Sequence, residues 1–427
     1  MKKKISKARP APAFSSLECA TNPGAFPVAS NPDKLLRPTW AEISLPALRR
    51  NYARVRQLAG RRKVMAVIKA DAYGHGAITV ARTLEALGAD WFGVATVDEA
   101  LDLRAIGVSK PILLLGGLYM SDPAALIEYN LTPTVSSTAR LDTYAECARQ
   151  LGKSIDFHLK VDTGMGRLGI PPYLLDAFME RLQELNGSVS GATGGLRLSG
   201  FFTHLASAED MVATQTDEQL ERFAAALRRL RALGARPEWI HVSNSAALLA
   251  RAGIQENMAR VGALLYGYCL PISTPPGSAS QPQPDFDPVL SFRSRVVFLK
   301  DHPAGAPLGY GASFFTRRPS RIATLPVGYA DGLSRALSNR GHVIVRGRFA
   351  RIVGSVSMDL TLVDVTDIPG VSVGDEVTLI GDSTGCSITA AEVAQAIGTI
   401  PYEVLCSIGK RVPRIYVDSC DGRAERE

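Results

Sequence analysis

The stretch Val64-Met65-Ala66-Val67-Ile68-Lys69-Ala70-Asp71-Ala72-Tyr73-Gly74-His75-Gly76 decides between two architectures. Its apolar run, Val64–Ile68, reads as a buried parallel strand. A helix is expected next, over Ile78 to Leu87. An open doubly wound sheet usually carries a Gly-rich nucleotide turn after its first strand. Here the turn reads Lys69-Ala70-Asp71-Ala72-Tyr73, which favours a closed barrel. Seven further strands are expected near Trp91–Ala95, Pro111–Leu115, Leu131–Val135, Ile155–Val161, Leu198–Thr203, Trp239–Val242 and Met258–Val261. Helices alternate with them. The clearest runs from Thr216 to Leu233, with Leu220, Phe223, Ala224, Leu227 and Leu230 on one face. Eight strand–helix units predict an α/β fold, a (β/α)8 barrel.

The texture changes over Pro271–Pro288, a Pro- and Gly-rich linker. Short alternating strands follow at Leu290–Leu299, Arg321–Pro326, Gly341–Val345, Phe349–Val356, Leu360–Val365, Glu376–Ile380 and Arg414–Val417, interrupted by one helix, Thr389–Ile397. The expected organisation is a basic, Pro/Ala-rich disordered extension at 1–37, a barrel at 38–280 and a mainly β C-terminal domain at 281–427. A first strand at 38–45 is a candidate to join the β domain.

The formal charge is +7 over 427 residues. Residues 1–38 hold seven bases and two acids, a local excess of +5 that leaves +2 for the remainder. This argues against a nucleic-acid-binding face. Met1-Lys2-Lys3-Lys4 begins like a secretory signal, but Lys7, Arg9, Pro10 and Pro12 interrupt any apolar core. The six cysteines are scattered without a CxxC pair, which argues against a zinc site and a disulfide framework. No run is long and apolar enough for a membrane span. A cytoplasmic protein with no metal is expected.

Barrel active sites sit at the C-terminal ends of the strands. Lys69, Lys160, Arg167, His204, Asn244, Ser245 and Arg260 all fall near that rim. A lysine at the mouth of an apolar strand loses solvation, which lowers its pKa and frees an amine for Schiff-base chemistry. A snorkelling strand-end lysine and a packed Tyr73 explain the first segment equally well. His204 alone is more readily a core histidine than a catalyst. Together, however, the basic and hydroxyl groups describe a pocket for an anionic aldehyde. Ser245, Gly262 and Ala263 follow the last two strands, where this fold cradles phosphate. Pyridoxal 5'-phosphate joins an aldehyde to a phosphate and suits both features.

Val67–Gly76 resembles the pyridoxal phosphate attachment motif of the alanine racemases. The resemblance spans roughly residues 38–418 and includes Lys160–Gly169, Leu308–Gly311, Val327–Gly332, Ser357–Asp359 and Pro401–Val404. It implies that Lys69 bonds the cofactor and is one catalytic base. Tyr310 would be the opposite base, delivered from the partner of a homodimer with shared active sites. Arg260 would face the pyridine nitrogen. Tyr73, Ser245, Gly262, Ala263 and Tyr402 would hold the phosphate. Arg167 would steady the cofactor and the substrate carboxylate, and His204 and Asn244 would also bind the cofactor. Lys160 matches a position that is often N-carboxylated in this family. Met358 and Asp359 would lie near substrate, and Tyr329 and Arg335 at the entrance. Arg260 and His204 are the candidates for positive charge that eases ionisation of Tyr310. The implied function is alanine racemisation, supplying D-alanine for peptidoglycan. A broad-spectrum or serine-preferring racemase, a fold-related decarboxylase and a pyridoxal phosphate carrier are the alternatives. Ile408–Arg414 departs from family members that place a tyrosine before the arginine.

Overall fold

The computed structural model describes residues 31–119, 121–187, 194–251, 253–275 and 285–418. Eight parallel strands close into a barrel: β2 (Lys63–Val67), β3 (Trp91–Val94), β4 (Ile112–Leu114), β5 (Leu131–Val135), β6 (Ile155–Lys160), β7 (Leu196–Phe202), β8 (Trp239–His241) and β9 (Met258–Val261). Closure pairs β2 with β9, Lys63 opposite Met258 through Ala66 opposite Val261. The outward faces of the strands pack on helices such as Gln215–Ala232, whose Phe223, Ala226, Leu227 and Leu230 are buried. This is the stripe the apolar periodicity predicts.

The barrel's interior has its own small core, a plug of Met65, Trp91, Leu113 and Met258. Above the plug the lining turns polar. Trp91 packs on His158 at 5.2 Å between ring centroids. The β6–β7 register shifts at Phe157/His158. Gly200 stands opposite His158, and a Cβ there would collide with the imidazole. The missing side chain makes room for the histidine inside the barrel.

The β domain is one ten-stranded sheet with a separate short hairpin, β12 (Pro307–Leu308) and β13 (Phe314–Phe315). Its strands are β1 (Thr39–Ser44), β10 (Leu290–Arg295), β11 (Phe298–His302), β14 (Ser320–Leu325), β15 (His342–Val345), β16 (Arg348–Ile352), β17 (Thr361–Asp364), β18 (Glu376–Ser383), β19 (Cys386–Ile388) and β20 (Arg414–Val417). β1 precedes the barrel in the chain yet lies between β10 and β20. The sheet and the barrel are thus tied at both ends of the chain.

Two sequence expectations need correction. The single strand expected over Leu290–Leu299 is two. Val296 and Val297 turn their amides to Asp375 and Thr324, and the chain leaves β18 for β14. Of the extension expected to be disordered through residue 37, the described part is ordered. Pro32–Lys34 forms a 3-10 turn, and Arg37 reaches the buried Asp331 at 2.7 Å. A buried carboxylate needs such partners, and Arg411 supplies a second at 2.8 Å. Residues 1–30 and half of the expected linker (276–284) lie outside the described residues. The six-residue helix Pro401–Cys406 is not among the expected elements.

Gly76 adjoins the helix Ala77–Ala86 with φ 90°, and a Cβ on it would overlap the Tyr416 hydroxyl of β20. Gly76→Ala should therefore destabilise by about 2–4 kcal/mol, through backbone strain plus overpacking. A urea midpoint unchanged from wild type would refute this.

Candidate active site

The turn after β2 has an unusual backbone. Ala70, Asp71, Ala72 and Tyr73 all have φ between 52° and 55°. Left-handed L-residues cost about 1–2 kcal/mol each, so other contacts must hold them. The Ala72 amide donates to the Ile68 carbonyl (2.9 Å) and the Gly74 amide to the Ala70 carbonyl (3.0 Å). Asp71 Oδ1 accepts from the Ala77 amide (2.7 Å), and Arg414 Nε donates to the Gly74 carbonyl (3.0 Å). The result is that Lys69 and Tyr73 line one cavity of about 250 Å³ at the C-terminal mouth of the barrel.

Lys160, Arg167, His204, Asn244, Ser245, Arg260, Gly262, Ala263 and Tyr402 line the same cavity. Val67, Leu115, Phe202, Glu209, Ala246, Cys269 and Leu270 complete it. Those seven were not singled out from sequence, because apolar liners and a lone Glu or Cys carry no motif. Tyr402 arrives from the unexpected helix Pro401–Cys406, with its ring edge-on to Tyr73 at 6.0 Å.

Arg260 lines the cavity and is 4% exposed. Its Nη1 donates to His241 Nδ1 (2.9 Å) and to the His241 carbonyl (3.0 Å). Its Nη2 donates to the carbonyls of Thr203 (2.8 Å) and Val242 (3.0 Å), with His204 Nδ1 at 3.3 Å. All four Nη protons are thereby spent, and only Nε–H is left for a ligand. Among the described residues no carboxylate hydrogen-bonds the guanidinium, and Glu256 acts on it only through space. Burial pulls its pKa down to about 10, which still leaves it charged at neutral pH. An arginine proton on His241 Nδ1 puts the imidazole proton on Nε2. That nitrogen lies 2.9 Å from His158 Nδ1. His241 and His158 were missed in the sequence because nothing local marks them as supports for Arg260.

The cationic crowding sets the other pKa values. Burial, then Arg260, Arg167 and Lys69, lowers Lys160 to about 8, with Asp162 opposing. Burial, followed by Arg260, Lys160, Arg167 and Lys69, lowers His204 to about 3. His204 is therefore neutral at pH 7. This corrects its expected role as a positive charge beside Tyr310, and it is a hydrogen-bonding group instead. Lys69 is lowered by burial and then by Arg167, with Glu99 and Cys406 acting against.

Ser245, Asn244 and Gly262 are held by hydrogen bonds along the cavity wall. Ser245 Oγ lies 3.1 Å from the Gly262 amide, and Asn244 caps the helix Ser245–Ala250 through the Ala247 amide. The Tyr73 hydroxyl stands over Gly262, where a Cβ would crowd it. Burial raises the Tyr73 pKa to about 12 and pushes Tyr402 higher still, so both hydroxyls keep their protons and can donate.

Tyr310, Met358, Asp359, Tyr329 and Arg335 do not line this cavity. They sit on the β domain. Tyr310 lies between two left-handed glycines, Gly309 (φ 72°) and Gly311 (φ 67°), and is 76% exposed. The Tyr329 and Ala330 amides donate to the Ser357 and Met358 carbonyls at 3.0 and 3.1 Å, which binds these two segments into one rim.

Residues 43–270 match the family profile "Alanine racemase, N-terminal domain", and residues 289–416 match "Alanine racemase, C-terminal domain". The chain belongs to the alanine racemase family. The alanine racemase of Syntrophobacter fumaroxidans is 43% identical over 87% of this chain and 96% of its own length. Alanine racemase 2 of Caldanaerobacter subterraneus is 40% identical over 90% of this chain and 95% of its own. Among solved structures, alanine racemase from D-cycloserine-producing Streptomyces lavendulae superposes with a TM-score of 0.81 at 32% identity, covering 90% of this chain and 98% of that one. The fold is that of the family, a barrel followed by a β domain, and the enzyme is an amino-acid racemase, an isomerase.

The Lys160 pKa of about 8 against the ordinary 10.5 has a measurable sign. Between those values the unfolded chain holds the extra proton, so this residue's contribution to stability rises as pH climbs through the window. Lys160→Met should flatten that rise in cofactor-free protein. Urea midpoints that climb as steeply as those of wild type would overturn the assignment.

Proposed function

We propose that this chain interconverts L- and D-alanine in the cytoplasm, with pyridoxal 5'-phosphate bound at Lys69, and that it works as a homodimer with shared sites. Its product would serve peptidoglycan synthesis. One observation carries the reading: a depressed amine, one unused Arg260 N–H and the hydroxyls of Tyr73, Ser245 and Tyr402 line a single cavity. These match the aldehyde, ring nitrogen and phosphate of the cofactor. Ser245, Gly262, Ala263, Tyr73 and Tyr402 would hold the phosphate, and Arg260 Nε–H would meet the ring nitrogen. When bound, the cofactor supplies the electron withdrawal that makes an α-proton removable.

The chain's residues then divide the proton work. Inverting an α-carbon requires a proton taken from one face and returned to the other. Lys69 Nζ would serve the barrel face, where burial and Arg167 lower its proton affinity. Tyr310 serves the opposite face, from the partner subunit. Ionising an ordinary tyrosine at pH 7 costs about 4 kcal/mol. Arg260, charged and deeply buried, is the candidate source of positive field in the assembled site. A guanidinium also gives up no proton to the ring nitrogen. A residue of this kind at the ring nitrogen would hold the cofactor there without protonating it. Arg167, on the loop that Asp162 folds by accepting the Gly164, Met165 and Gly166 amides, would hold the substrate carboxylate. Tyr310 and Tyr402 would leave space for a methyl side chain and little more, which favours alanine over larger amino acids.

Exposure supports the dimer. Tyr310, Phe315, Met358, Tyr329 and Leu360 are large residues left exposed on the β domain. Many such residues on one domain suit a covered interface. Tyr329 and Arg335 would narrow the entrance, with Met358 and Asp359 close to substrate.

Purified protein tested against single-enantiomer amino acids should racemise alanine fastest. Faster serine turnover, or equal rates across the panel, would select the serine-preferring or broad-spectrum reading. Lys69→Ala should lose the borohydride-fixed cofactor adduct, and Tyr310→Phe should keep the adduct but lose turnover. Mixed one to one, the two dead variants should regain about a quarter of wild-type activity, because half the dimers would hold one intact site. No recovery would refute shared sites. Lys160, with its neutral fraction among three cations, is suited to form a carbamate with CO2. Native mass spectrometry should then show a CO2 adduct that disappears in Lys160→Ala. An unmodified mass at high bicarbonate would exclude it.

A further inference from the structure

Glu99 is the third residue of the helix Val97–Ala105, and its carboxylate closes a capping box with Thr96. Its Oε2 accepts from the Ala95 amide at 2.7 Å and the Thr96 amide at 3.3 Å. An ordinary capping box ends there. Here the second oxygen, Oε1, reaches into the preceding strand–helix unit and accepts from the Ala70 amide at 2.6 Å. Ala70 follows Lys69 directly and opens the run of left-handed residues. That run is strained, and each hydrogen bond that fixes it also fixes where Lys69 starts.

We propose that Glu99 is a positioning residue for Lys69, its carboxylate pinning the left-handed turn beneath the reactive amine to the end of the next barrel strand. The inference rests on the reading that Lys69 captures pyridoxal 5'-phosphate. The Ala70 side of the turn is exposed, so water would satisfy the amide if Glu99 let go. Water would not hold the turn in place. The same carboxylate is an anionic neighbour of the amine and acts against the downward push of burial and Arg167. Two neighbouring strands are thereby joined at the mouth of the barrel, β2 through the turn and β3 through Ala95.

The chemistry of the pair suggests a selective variant. Glutamine completes a capping box as glutamate does. It has one acceptor oxygen, however, where the carboxylate has two. Glu99→Gln can therefore keep the cap and must abandon Ala70. Thr96→Ala does the reverse, because it removes the cap hydroxyl that accepts from the Glu99 amide at 3.3 Å and leaves the carboxylate in place.

The test uses cofactor-free enzyme mixed with pyridoxal 5'-phosphate, followed by borohydride reduction and peptide mapping of the Lys69 adduct. In Glu99→Gln, capture should slow about tenfold and the dissociation constant rise about tenfold, on the scale of one charge-assisted hydrogen bond. The pH midpoint of capture should move down, since an anion beside the amine is lost. Thr96→Ala should lower the melting temperature and leave capture unchanged. Should Glu99→Gln not fold, hydrogen exchange on the wild-type apoenzyme decides, with a protected Ala70 amide supporting the proposal and a freely exchanging one overturning it. Wild-type capture in Glu99→Gln, or equal slowing in both variants, would reduce Glu99 to a helix cap. If wild-type enzyme gave no adduct at Lys69, the cofactor reading would fail first and this inference with it.

Discussion

A buried guanidinium with no carboxylate hydrogen-bonded to it among the described residues governs this barrel. Desolvating a charge is expensive, and the usual remedy is an opposite charge. Arg260 is held instead by neutral acceptors: three carbonyls and two imidazoles. The barrel interior is ordered around that requirement. Met65, Trp91, Leu113 and Met258 plug the bottom. His158 rests on Trp91, His241 on His158, and Arg260 on His241. Burial and the nearby guanidinium keep both histidines neutral, and neutrality lets their ring nitrogens accept. Gly200 gives His158 its space.

The unneutralised charge spreads outward. Lys160 and His204 both feel Arg260, and their proton affinities fall. Lys69 feels Arg167. A cavity with this much positive field favours any ligand that brings negative charge, which suits a phosphate-bearing cofactor and a substrate carboxylate. The field also makes lysines chemically useful. An amine that is partly neutral can attack an aldehyde or accept a proton, and an ordinary surface lysine rarely does either.

Much of the barrel was legible because its signals are local. Apolar runs marked all eight strands within a few residues of their observed ends, and Leu131–Val135 and Met258–Val261 match throughout. The polar residues at strand ends identified most of the cavity lining, since the topology sends every such end to one rim. What escaped depended on distant partners. The strand expected over Leu290–Leu299 breaks because β18 and β14 compete for it. Residues 31–37 fold because Asp331, some three hundred positions away, is buried and needs Arg37. His204 was read as a charge, and its burial beside Arg260 makes it neutral. The left-handed turn at Ala70–Tyr73 has no glycine to announce it. Local sterics oppose that turn, and contacts from Glu99 and Arg414 help hold it.

By itself the sequence determined the alternation of strands and helices, the change to short strands after residue 288 and the residue types available at the rim. Those properties follow from side-chain periodicity and turn chemistry, which act over a few residues. Tertiary structure alone decided which amines are desolvated, which histidines are neutral, and that Tyr73, Tyr402 and Arg260 look into one space while Tyr310 looks out of it. Such outcomes depend on burial and on charges brought together from opposite ends of the chain, and no short window of sequence contains them.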